Sequence, residues 1–150
     1  LADESSKRKL REKLDSFGLL PGLRLTNIYK ATWVVCHGTD FRKSGVIVYE
    51  VDKDMFLPMF GVIKQIWNVC DFIYFEYVPL ETLCFSERFQ AYHVMENETV
   101  VTGIASYESL VDFNVFHTHE NSDGELYVPV KYDIADILEQ HTKGRNPLKF

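Results

Sequence analysis

Two histidines in the last third of the chain have the spacing of metal ligands. His117 and His119 are separated by one residue, and residues at i and i+2 of a strand face the same way. Two imidazoles on one face could hold a zinc ion, which needs further ligands from elsewhere in the chain. No local spacing identifies those ligands, so we interpret the pair as half-exposed histidines that lead into a loop. A metal-dependent hydrolase that uses both is the second of two alternative hypotheses, and we expect no metal and no cofactor.

Cys36 and His37 place a thiol beside a base, the combination that nucleophilic catalysis uses. Neighbouring residues of a strand point to opposite faces, so these two side chains could not share a proton directly. The sequence also lacks a phosphate-binding glycine loop and the G-x-S-x-G and H-E-x-x-H motifs. It therefore predicts a protein that is not an enzyme.

A set of aromatic residues could form a cage for a methylated lysine, because cation–π recognition needs several converging rings. In a small β domain, such rings more often form the core. Trp67 and Tyr74 are the most relevant members, since they flank a predicted turn. Rings open to solvent would indicate a chromatin-type reader, the first alternative for this chain. The set consists of Trp33, Tyr49, Phe60, Trp67, Tyr74, Phe75 and Tyr77.

Charge is distributed unevenly along the chain, whose formal net charge is −6. Residues 1–45 contain nine Lys/Arg and five Asp/Glu, whereas residues 46–142 contain four and seventeen. An acidic body repels phosphate backbones, so we expect this domain alone to bind nucleic acid weakly or not at all. The basic segment at residues 7–11 is either a nuclear-localisation or phosphate-contact cluster, or the solvated face of a helix.

Composition indicates one packed domain in an intracellular protein. The chain has 150 residues, of which 46% are hydrophobic, and this is enough for a proper core. Its three cysteines, Cys36, Cys70 and Cys84, have no C-x-x-C spacing, which favours reduced thiols. No run approaches the roughly 20 apolar residues of a membrane span, and no apolar signal core opens the chain. We expect a soluble protein of the nucleus or cytoplasm with no membrane partner.

The N-terminal residues 1–22 are predicted to form an amphipathic helix and a hinge. Leu10, Leu14 and Phe17 fall on one face of a helix over residues 5–17. An isolated helix of this length is marginal in water, so the stripe must dock on the body or on a second copy. Residues 23–150 form a single β-rich domain that ends in a second helix, capped by Asp133.

The rest of the chain is predicted to form seven or eight short strands. A strand over residues 72–78 should end at Pro79, residues 89–95 and 99–104 should pair as a hairpin, and Pro129 should keep residues 126–131 at an edge. The fold class is mainly β (α+β), a strongly curved antiparallel sheet or small barrel with a short helix at each end. The other expected strands cover residues 29–36, 45–51, 55–67 with a bend or bulge, and 111–119.

A pattern of apolar, aromatic and glycine positions carries a family resemblance. It comprises Pro58-Met59-Phe60-Gly61-Val62-Ile63-Lys64-Gln65-Ile66, Ala91-Tyr92-His93-Val94 and Tyr127-Val128-Pro129-Val130-Lys131. With it, about residues 25–138 resemble a group of uncharacterised fish and invertebrate proteins that are often derived from mobile elements. The resemblance implies a shared fold, a nuclear or nucleic-acid-associated context and no catalytic residues. The P-x-F-G-x-I-x-x-I segment also resembles small barrels of the Tudor or BAH kind.

The leading hypothesis is a non-catalytic protein-interaction or self-association module of a larger nuclear or cytosolic protein. Edge strands and an apolar helix face are both docking elements, and they favour a protein partner or a homo-oligomer. The predicted partner-binding residues are Leu10, Leu14, Phe17, Trp67 and Tyr74.

Overall fold

The computed structural model describes residues 3–17, 28–97 and 101–130. The predicted hinge at residues 19–22 and the predicted helix after Asp133 lie outside these ranges. The described residues form helix α1 (Glu4–Ser16), a 3₁₀ turn (Tyr107–Ser109) and eleven strands. The strands are β1 (Ile28–Ala31), β2 (Trp33–Cys36), β3 (Thr39–Arg42), β4 (Val46–Val51), β5 (Pro58–Val69), β6 (Phe72–Ser86), β7 (Ala91–Glu96), β8 (Gly103–Ser106), β9 (Asp112–Phe116), β10 (His119–Glu120) and β11 (Leu126–Pro129).

Nine of the strands form one antiparallel sheet, built on the two long strands β5 and β6. The order is β10-β11-β7-β6-β5-β4-β9, with β1 also paired to β5 and β8 also paired to β6. The sheet curls strongly into a half-barrel, which confirms the predicted curved, mainly β fold. Strands β2 and β3 form a separate two-stranded sheet.

Strand β6 shows how the sheet accepts a proline. The prediction that Pro79 ends this strand is wrong, because β6 runs on to Ser86. On one edge of β6, pairing with β8 stops at Tyr77 and pairing with β7 starts at Leu80, so Pro79 lies in the gap between them. No ladder hydrogen bond is required there, and the missing N–H of proline is tolerated.

Strands β7 and β8 do not form the predicted hairpin with each other. Both pair with the same edge of β6, which at 15 residues is long enough to hold them end to end. The predicted bulge in the third strand is confirmed, since the register of β5 against β6 shifts between Ile63 and Gln65.

The predicted strand over residues 29–36 divides into β1 and β2 at Thr32. His37 and Gly38 make the tight turn between β2 and β3, with φ of 49° and 84°. The prediction that residues 126–131 form an edge is also wrong in part, because β11 lies between β7 and β10. In the part of the chain that the structure describes, no helix is long and apolar enough to cross a membrane.

Candidate interaction surfaces

Helix α1 docks on the sheet through two leucines. Asp3 caps the helix by accepting a hydrogen bond from the Ser6 backbone N–H at 2.7 Å. Leu10 and Leu14 are 3% and 0% exposed. They pack in a cluster with Ile28, Trp67, Val69, Tyr74 and Ile104. Docking of the helix on the body of the domain is therefore confirmed.

The third residue of the predicted stripe behaves differently, because the helix ends at Ser16. Phe17 is the C-cap, leaves the helical conformation and is 47% exposed, so its predicted packing is wrong. Leu10, Leu14, Trp67 and Tyr74 were predicted to bind a partner, but their burial within the chain makes them part of the core. Only Phe17 of that set remains on the surface.

A polar network closes one side of this helix cluster. Lys13 Nζ lies 3.4 Å from Glu76 Oε2, and it also bonds to the Thr102 hydroxyl. The hydroxyl of Thr102 donates to Glu76 Oε2 at 3.2 Å, and the indole N–H of Trp67 donates to Glu76 Oε1 at 3.3 Å. Both oxygens of Glu76 are thus engaged by donors from α1, β5 and the segment before β8, which holds the helix in register on the sheet.

Next to this network, lysines line a groove of about 570 Å³, which we call the basic groove. Two of them come from α1, one from β1, one from the turn before β4 and one from the bulge of β5. Glu76 is its one acidic lining residue among those that the structure describes. The five lysines are Lys9, Lys13, Lys30, Lys43 and Lys64.

Backbone hydrogen bonds bring the last two lysines together. The N–H of Ser44 donates to the Ile63 carbonyl at 2.9 Å, and the N–H of Ile63 donates to the Gly45 carbonyl at 2.8 Å. The turn that carries Lys43 therefore lies against the bulge that carries Lys64. The sequence indicated a basic N-terminal region, but Lys64 belongs to the acidic middle and gave no such signal.

A second groove, of about 480 Å³, has the opposite charge. Its lining includes Glu96, Glu120, Glu125 and His93, and His93 Nε2 lies 3.4 Å from Glu125 Oε2. The ring of His93 stacks on Tyr127 with centroids 4.9 Å apart.

Most rings of the hypothesised methyl-lysine cage are core residues. Phe60 and Phe75 are fully buried, and Trp67, Tyr74 and Tyr77 are at most 6% exposed. The half-buried Tyr49 stacks on Tyr77 with centroids 4.1 Å apart. Trp33 alone among the seven is exposed, at 50%, and its ring is covered by the guanidinium of Arg42 at 5.3 Å. These rings do not converge on an open cage.

Four residues were considered for metal binding or nucleophilic catalysis: His117, His119, Cys36 and His37. His117 and His119 are exposed, and among residues 3–17, 28–97 and 101–130 no three His, Cys, Asp or Glu side chains are placed to hold a metal ion. Burial raises the pKa of the half-buried Cys36 thiol, which disfavours its thiolate. The neighbouring His37 ring stacks instead on Tyr107, with centroids 5.8 Å apart.

The β2–β3 hairpin presents an apolar face that sequence reasoning did not single out. Trp33 and Val35 are 50% and 51% exposed and lie across from Arg42 and Asp40. On the other face of the hairpin, Val34, Cys36 and Phe41 pack into the core. The alternation along Trp33-Val34-Val35-Cys36 therefore anchors one face and leaves the other open to solvent.

In comparisons with protein-family models, with curated proteins and with solved structures, nothing matched this chain.

Proposed function

We propose that this domain is a non-catalytic self-association module of a larger nuclear or cytosolic protein, and that two copies pair through strand β2. The observation that carries the proposal is an uncharged edge strand with two large apolar side chains in solvent. Both features belong to Trp33-Val34-Val35-Cys36.

The backbone of β2 supports strand pairing. The two-residue turn at His37 and Gly38 makes Cys36–Thr39 and Val34–Phe41 the hydrogen-bonded pairs of the hairpin. The N–H and C=O groups of Trp33 and Val35 then point away from β3. Among the described strands, none pairs with that edge of β2. An extended segment could add there through main-chain hydrogen bonds.

The side chains of β2 favour the same conclusion. Edge strands are usually protected from association by charges, prolines or short length, as in the two-residue β10 with its exposed His119 and Glu120. Strand β2 is longer, with four residues, and none of them is charged or a proline. Trp33 lies beside Arg42, and tryptophan and arginine are the residue types that most often dominate interface energies.

The test is the molar mass of the chain in solution across a concentration series, measured by light scattering for the wild type and two variants. Val35→Lys places a charge at the edge of β2, and we expect it to abolish the dimer because two charged edges would repel. Val101→Lys is the matched control, since Val101 is a valine that is 76% exposed elsewhere on the surface. We expect it to dimerise like the wild type.

Two results would contradict self-association through β2: a wild type that stays monomeric at every concentration, or equal dimerisation of both variants. Circular dichroism of each variant checks that the fold is retained, which is expected because both side chains are exposed.

A further inference from the structure

The basic groove concentrates positive charge in an acidic chain. The chain has 16 Lys/Arg and 22 Asp/Glu. The described lining residues include five lysines and one glutamate, a formal charge of +4 against −6 for the whole chain. The lysines come from four separate parts of the fold, so this arrangement exists only in the folded protein.

Nearby carboxylates offset only part of this charge, because Asp3 interacts electrostatically with Lys9 and Lys30 but forms no ion pair with either. Glu76 is already engaged by Lys13, Thr102 and Trp67. Within the described ranges, the four ion pairs leave Lys9, Lys30, Lys43 and Lys64 without a carboxylate inside 4.0 Å of their ammonium groups. Like charges held close together repel, and a bound anion would relieve that repulsion.

The size of the groove favours a compact ligand. Its volume of about 570 Å³ lies within the range of roughly 300–1,000 Å³ that small-molecule sites occupy. Lysine ammonium groups bind phosphate as point charges. Several of them around one concavity suit a small anion that carries several phosphates.

Among its described lining residues, the groove lacks the exposed aromatic rings that would favour nucleic acid. Single strands are bound by stacking of bases on exposed aromatic rings. Trp67 lines this groove, but it is only 5% exposed. Its indole N–H donates to Glu76, and Lys30 Nζ lies 5.6 Å from the centroid of its ring. The acidic remainder of the chain would also repel a long phosphate backbone.

From these observations we infer that the basic groove is a binding site for a compact, multiply phosphorylated anion. Lys43 and Lys64 are its most informative ligands, because both side chains are exposed and neither takes part in the network around Glu76. No residue of β2 is among the described lining residues of the groove, although the Lys43 N–H donates to the Thr32 carbonyl beside β2 at 3.3 Å. Phosphate affinity is measured directly, so a failed test of self-association would not decide this one.

Inorganic tripolyphosphate is the probe, titrated calorimetrically into the full 150-residue chain. The test variant is Lys43→Gln/Lys64→Gln. The control is Lys53→Gln/Arg88→Gln, which removes two positive charges from exposed residues outside the groove. We expect the test variant to lose about tenfold or more in affinity and the control less than about threefold, since each tenfold step needs only about 1.4 kcal/mol of lost interaction.

A second measurement shows that the test variant is folded. Without tripolyphosphate, its melting temperature should equal or exceed that of the wild type, because two repelling charges have been removed. With tripolyphosphate, the wild type should gain more in melting temperature than the test variant, as expected for a ligand that binds the native state.

Three outcomes would overturn the inference. The first is an equal loss of affinity in the control, which would indicate a response to net charge alone. The second is equal stabilisation by sulfate at the same ionic strength, which would indicate screening. The third is tighter binding of a single-stranded oligonucleotide than of tripolyphosphate, which would assign the groove to nucleic acid.

Discussion

The two faces of strands β5 and β6 carry neighbouring residues into different surroundings. Ile66 and Phe75 are partners on one face, and Trp67 and Tyr74 are partners on the other. The first pair lies in a core of rings and branched aliphatic side chains. The second pair lies under α1, where leucines and an ion pair share the contact. Equal burial of a strand residue therefore does not mean equal surroundings.

The face that carries Ile66 and Phe75, which we call the ring face, is closely packed around Tyr77. Gly61 of β5 and Gly103 of β8 lie against its ring, and an added Cβ would come within 2.6 Å and 2.4 Å of ring atoms. On its other side, Tyr77 stacks on Tyr49 at 4.1 Å between centroids. Because the Tyr77 ring is buried and closely packed against these neighbours, the ring face should tolerate an added methyl group poorly.

The face that carries Trp67 and Tyr74, which we call the helix face, is covered by α1, and this helix also carries charged side chains. Lys13 satisfies Glu76, while Lys9 adds to the basic groove along the same helix. The charge of Glu76 is tolerated at this face because α1 supplies both the leucines that cover the sheet and the lysine that pairs with Glu76. The difference teaches that a charged side chain of the sheet, Glu76, can adjoin a core face when the helix that covers this face supplies the counter-charge.

The largest expected effect concerns the helix cover. Leu14→Ala should destabilise the domain by about 3 kcal/mol, because deleting a fully buried leucine removes apolar burial and leaves a cavity. Phe17→Ala, at a side chain that is 47% exposed, should cost less than about 0.5 kcal/mol. Urea unfolding of both variants measures the difference. Similar losses would show that α1 does not dock as described.

On the ring face, Gly103→Ala should cost about 2 kcal/mol by overpacking. The added methyl would meet the Tyr77 ring, whose Cζ lies 2.4 Å from the Cβ position. Replacing Tyr77 by Leu removes the obstacle, so Gly103→Ala should cost less in that background. A double-mutant cycle by urea unfolding tests this, and strict additivity would contradict the proposed contact.

Local patterns allowed much of the fold to be predicted. An apolar stripe with leucines at i and i+4 predicted α1 to within a residue at either end, and β-branched runs predicted most strands. The partners of β7 and β8 could not be predicted, because pairing with β6 is set by tertiary packing and register.

The candidate sites were harder to predict from the sequence, because they too depend on long-range packing. Trp67 and Tyr74 do flank a turn, but whether their face is open depends on where α1 docks. Lys64 lines the basic groove because its bulge in β5 lies beside the turn that carries Lys43. The net charge of a sequence segment does not reveal such a long-range contact. The exposed face of β2 depends on which alternate residues the core accepts.

The smallest expected effect is a pH dependence of stability that arises from two tyrosines of the ring face. Burial, followed by the nearby Tyr49 and Glu50, raises the pKa of Tyr77 well above its ordinary value of 10.0. Burial likewise raises the pKa of Tyr49. In the unfolded chain these phenols ionise near their ordinary pKa, whereas in the folded domain they stay protonated to a higher pH.

The unfolded state therefore binds fewer protons than the folded state once the pH exceeds 10.0. Stability is fully present below that pH and falls above it, by at most about 1.4 kcal/mol per pH unit for each phenol. Tyr77→Phe keeps the ring and removes one titrating group, so its stability should fall less steeply. Urea midpoints of both proteins at about pH 8 and about pH 11 measure the slopes, within the range where a phenol titrates. Parallel losses in the two proteins would mean that Tyr77 ionises as readily in the fold as outside it, and the contrast between the two faces would then rest on volume alone.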